Sequence, residues 1–195
     1  MTTWHLARLH LVSRRAPAAL IALAMCAAVL WPALRWRWGA SAAVGQRQLA
    51  LLIEAGAAAA IAVTTYNPLG EAERAVGRRL PWLRLGSALA LTAAAAALLA
   101  IAATGGQLPG GATQLVRDLA GATGLGLICA TVLGGLLAWV GPVAYTLVAE
   151  FALTGAWTSP WLWPARPPHD RGAAICAGLV FAAGLALMTL RGAKD

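Results

Sequence analysis

The apolar run from Leu119 to Leu153 carries one charged side chain, Glu150, and no helix of a small water-soluble domain can hide a stretch so long. A helix needs about 20 residues to cross about 30 Å of hydrocarbon. The run therefore exceeds one crossing and must break. Gly134-Gly135 and Gly141-Pro142 offer the places, with a tight turn around Gly135 to Trp139. Composition agrees. Hydrophobic residues make up 60% of the 195 residues and charged ones 11%, and mean hydropathy is +0.71, against about half apolar and a quarter charged in an ordinary globular chain.

The expected fold is an all-α integral membrane protein of six transmembrane helices in a single domain over 1–195. The spans fall at 17–34, 49–65, 84–103, 113–134, 138–154 and 172–190. Residues 3–16 mix Trp4, Leu11 and Val12 with Arg8, His10, Arg14 and Arg15, the pattern of a helix lying in the headgroup plane. Ser13-Arg14-Arg15 before an apolar run imitates a targeting signal. Met25, however, is too large for a cleavage position before Cys26, and the Ala22-Leu23-Ala24 match lies in the middle of the run, so the segment is kept as the first span. Trp31, Trp36 and Trp38 form an aromatic belt at the far interface. Thr104 to Gly111 is a turn between antiparallel neighbours. Residues 155–171, GAWTSPWLWPARPPHDR, read as a short interfacial or re-entrant extracellular segment before span six.

Six spans put both termini on one side of the membrane. With the termini in the cytoplasm, Arg8, Arg14, Arg15, Arg74, Arg78, Arg79, Arg84, Arg191 and Lys194 lie inside. Arg35, Arg37, Arg47, Arg117, Arg166 and Arg171 lie outside, and the excess inside favours that orientation. The formal charge of +8 is spread over loops and span ends with no single basic stripe, so nucleic acid is not an expected partner. Cys26, Cys129 and Cys176 lie singly in apolar runs, without the spacing of a metal site or redox pair, and read as inert buried thiols. Small residues recur at four-residue spacing in span four (Gly126, Ala130, Gly134) and span six (Ala174, Gly178, Ala182). The spacing suits close helix approach in lipid, and in so alanine-rich a chain chance gives it equally well.

Ionisable groups inside spans face protein, a partner charge or water. Glu54, Arg117, Asp118 and Glu150 fall at one level near the outer interface. They are candidates for a substrate path or gate in which Arg117 pairs with Glu54 or Glu150; the alternative is that each snorkels to the interface. No enzyme is expected, and no metal site. His5 and His10 lie in the interfacial segment, His169 in an external loop, Ser87 has no partner base, and neither GxSxG nor an aspartate metal cluster occurs.

Gly70 to Arg84, GEAERAVGRRLPWLR, is the densest charge cluster in the chain. Asn67-Pro68 suits a helix start. Glu71 and Glu73 then lie near the positive end of the helix dipole, Arg78 and Arg79 near the negative end, and Pro81 stops the helix. This run, with LVRDLAGATGLGL, LAWVGPVAYTLVAE and TSPWLWPARPPHDRGAAICAGLVF, resembles the small permease subunits of actinobacterial ABC exporters of the type-2 class, over most of the chain after Asn67. The resemblance implies a cytoplasmic coupling helix between spans two and three, over Gly70 to Leu80, docking on a separate ATP-binding subunit. Glu71, Glu73, Arg74, Arg78 and Arg79 would be the contacts. It further implies a second permease subunit, identical or similar, and a bacterial cell-membrane location. No Walker A sequence occurs, so the chain carries no cofactor of its own and ATP would be bound by the partner.

Overall fold

The structure is a computed structural model that describes residues 16–35, 42–64, 80–104, 110–155 and 159–191. Six long helices make up the molecule: α1 (Ala16–Arg35), α2 (Ala42–Val63), α3 (Leu80–Ala103), α4 (Gly111–Val132), α5 (Val140–Gly155) and α6 (Arg171–Arg191). All six are long and apolar enough to cross a membrane, and no strand occurs among the described residues. The expected interfacial helix lies outside the described residues except for Ala16, and the charged coupling helix except for Leu80. Each of those two residues opens a long apolar helix.

Proline placement explains three helix starts. Pro17, Pro81 and Pro142 all sit in first turns, where the missing N–H would have had no acceptor. Pro81 sits in the first turn of α3, which begins at Leu80, four residues before the expected start at Arg84; the charged helix it was expected to stop lies outside the described residues. The long run breaks after Val132. The Leu133 N–H bonds the Cys129 carbonyl at 2.7 Å, and Gly134 turns to φ 100°, ψ 156°, a conformation open essentially to glycine. A 3-10 turn over Gly135–Leu137 then leads into α5.

Helix α4 is the axle of the bundle. It packs most extensively on α6 and also against α2, α5 and α3, and 61% of its spanning window is buried against 22% for α1 and α6. The α4–α6 crossing is set by glycines. A Cβ on Gly184 would lie 2.5 Å from the Gly124 carbonyl oxygen, and one on Gly124 would lie 2.6 Å from the Phe181 Cα, so the two backbones touch. The expected stripe on span six is not the one used: Ala174, Gly178 and Ala182 are exposed, and Gly178 faces open space. On span four, Gly126 packs against Ala62 of α2 and Pro142 of α5. Leu23, Leu30, Ile61, Leu99, Leu115 and Leu119 fill the core where α1, α2, α3 and α4 meet.

The outer surface is apolar, with Ile21 66%, Phe151 73% and Leu190 83% exposed, a face suited to hydrocarbon. Half-exposed Trp31 and Trp161 stand at the end where α1 stops and α6 begins. Trp82 and Trp139 stand at the opposite end, giving an aromatic level at each.

Candidate functional site

The site lies at the Trp31–Trp161 end, where α2, α4 and α5 bring up charge and Ser159–Asp170 folds across the bundle. Local chemistry ties this segment down. Leu162, Trp163 and Pro164 are buried, with a 3-10 turn over Trp163–Ala165. The Trp163 ring stacks on Tyr145 of α5 at 4.4 Å between centroids and lies over Gly121 of α4, where a Cβ would come within 2.5 Å of it. The Tyr145 hydroxyl donates to the Trp161 carbonyl at 2.7 Å.

Arg117 completes the fastening. Its Nη2 donates to the Trp163 carbonyl at 2.6 Å and the Arg166 carbonyl at 3.3 Å, and its Nη1 donates to the Pro167 carbonyl at 2.8 Å. Its Nε–H meets the Asp118 carboxylate at 3.0 Å. The planar guanidinium thus satisfies three carbonyls, that of buried Trp163 among them, and one buried anion. Arg47 of α2 and Gln114 of α4 both donate to the Pro164 carbonyl.

Asp170 closes the segment. Its Oδ1 accepts from the Ala173 N–H at 3.0 Å and caps α6, and its Oδ2 accepts from the Arg166 Nε–H at 2.6 Å. The Ala173 N–H first, and then the Arg166 guanidinium, hold the Asp170 carboxyl below the usual carboxylate range.

The expected intramembrane charges converge, though with different partners. Arg117 takes its sequence neighbour Asp118 and the 163–167 carbonyls instead of Glu54 or Glu150. Glu54, Arg117 and Asp118 are 5%, 6% and 3% exposed, so they face protein and do not snorkel. Glu150 is half-buried. Gln48 and the charge of Arg47 act on its carboxylate, but neither oxygen makes a hydrogen bond of regular geometry.

Between α2 and α4 lies a cavity of about 10 Å³ lined by Arg47, Ala50, Leu51, Glu54, Gly111, Gln114, Leu115 and Asp118. Two atoms of its lining residues lack partners, the donor Arg47 Nε and the acceptor Glu54 Oε2. Among the described residues, no group of three or more His, Cys, Asp or Glu could hold a metal ion. Glu71, Glu73, Arg74, Arg78 and Arg79 lie outside the described residues. Sequence reasoning passed over Arg47, Gln114, Tyr145, Trp163 and Asp170. The available signals were the seven-residue Arg47–Glu54 spacing, which puts both on one helix face, and an Asp immediately before an apolar run.

Fold and site together define a multi-pass helical membrane protein with a small charged cavity between α2 and α4. No protein-family model, curated protein or solved structure matches the chain.

Proposed function

We propose that this chain is the permease subunit of an ABC exporter. It would work with an identical or similar permease and a separate cytoplasmic ATP-binding subunit, moving an amphipathic peptide, antibiotic or lipid-like substrate across a bacterial cell membrane. The observation that carries the reading is the Ser159–Asp170 segment, folded into the bundle between the fifth and sixth helices, as the resemblance implies for the re-entrant region of such permeases. Six helices long and apolar enough to cross a membrane accord with it, as do the end of α2 at Val63 and the start of α3 at Leu80 on the opposite side from that segment.

The arginine distribution supports the orientation with both termini inside. Of the outer cations, Arg47, Arg117 and Arg166 are engaged within the protein, and cations so engaged are withdrawn from headgroup contact. Even counted in full, the six outer cations are fewer than the nine assigned to the cytoplasm.

Affinity purification of the tagged chain from its native membrane tests the proposal. An ATP-hydrolysing subunit is expected to come with it and to be lost when Arg74, Arg78 and Arg79 are changed together to Glu. A chain that purifies without an ATPase, or keeps one despite the triple change, overturns the coupling reading. One observation favours a second reading, a secondary transporter or structural subunit without an ATPase. Glu54 is a buried carboxylate beside a small polar cavity, the kind of group that serves ion pathways. Transport that follows a proton gradient with no ATPase present would establish it.

A further inference from the structure

We propose that the compartment between α2 and α4 is a proton-binding site, in which one water bridges the Arg47 Nε–H to Glu54 Oε2 and Glu54 is the residue that takes up and releases the proton. The inference goes beyond both functional readings and depends on neither.

Size comes first. A cavity of about 10 Å³ is near the smallest that holds a water molecule, at roughly 10–15 Å³. Its lining offers a complementary pair, an N–H without an acceptor on Arg47 and a carboxylate oxygen without a donor on Glu54. A water accepts from the first and donates to the second, which satisfies two buried polar atoms together. A metal cation suits the place poorly. It needs several oxygens around it, whereas the Arg47 N–H is a donor on the cavity wall and the guanidinium repels a cation.

Chemistry then selects Glu54 over Asp118. The Asp118 carboxylate is bound by the Arg117 Nε–H at 3.0 Å, and the other Arg117 nitrogens are committed to backbone carbonyls. Among the described residues no cation forms an ion pair with Glu54. The Arg47 Nη2 is turned away to the Pro164 carbonyl. The charges acting on Glu54 are Asp118 and Arg117 on α4 and Arg47 on its own helix. From α5, Glu150 acts on Arg47. On the α1 side, the Cys26 thiol packs beside Gly56, two residues along α2 from Glu54. A carboxylate held 95% out of solvent, one oxygen without a donor and a second carboxylate at the same cavity, changes its charge by exchanging a proton with the water beside it.

The test is infrared difference spectroscopy of the full chain in lipid nanodiscs over the pH range in which it stays folded. The expected result is a pH-dependent carbonyl-stretch band at the high-frequency edge that marks a carboxyl shielded from bulk water. The band should shift in D2O, shift again when the chain carries 13C-glutamate, persist in Glu150→Gln and disappear in Glu54→Gln. A band that ignores the 13C-glutamate label belongs to an aspartate and overturns the assignment. Survival in Glu54→Gln, loss in Glu150→Gln, or absence of any shielded band overturns it as well. Should Glu54→Gln fail to fold, the 13C shift in a chain carrying Glu71→Gln, Glu73→Gln and Glu150→Gln decides alone.

Discussion

Arg117 spends its donors on the protein's own backbone. Three carbonyls of the 163–167 stretch and the Asp118 carboxylate surround it, and almost none of it meets solvent. That makes it a fastening between α4 and the 163–167 stretch. Arg117→Met should lower stability by about 3–5 kcal/mol, because it strands Asp118 as a buried uncompensated charge and leaves the carbonyls without donors. Arg117→Lys restores the charge without the planar fork and should recover only part of the loss. Unfolding in detergent micelles measures both. A Met variant as stable as the parent would show the bonds to contribute nothing. The sequence marked this residue as expensive in a membrane, and so also Glu54 and Asp118. It did not reveal the partners. Those carbonyls lie some 50 residues away, and their direction follows from how Trp163 seats over Gly121, a packing fact that no local pattern encodes.

Among the helices, the signals that proved legible are those with a local cause. A run too long for one crossing had to break at glycine, and Gly134 takes a backbone shape that side chains resist. Pro81, read only as the end of the charged helix, also sits in the first turn of α3, because proline suits either side of a helix boundary. The small-residue stripe of span six was legible as a pattern but not as a face, since alanine is too common for spacing alone to say which side of a helix meets another. Gly184→Leu should therefore destabilise the protein by about 1–3 kcal/mol, the usual penalty of overpacking, because its new Cβ would press on the Gly124 backbone. Gly178→Leu, placed in open space, should leave stability close to that of the parent. Comparing the two in a micelle unfolding assay checks the crossing. Equal effects would mean that α4 and α6 do not meet at these glycines.

At the scale of the whole molecule, six crossings place Trp161 and Leu136 at opposite ends. With Cys26, Cys129 and Cys176 replaced by Ala, single cysteines at 161 and 136 should react with a membrane-impermeant maleimide from opposite sides of sealed cells. Position 161 should label from outside. Labelling of both from one side would remove a crossing and, with it, the shared level of α2, α4 and α5 charge.

Where the α4 and α6 backbones touch at Gly124 and Gly184, neither helix can roll or slide without prising the pair apart. Together they form a keel. α1 and α3, by contrast, are held on α2 and α4 through side chains of the core. Under the export reading, the α4 wall of the compartment, locked to α6, would be the part that stays in place.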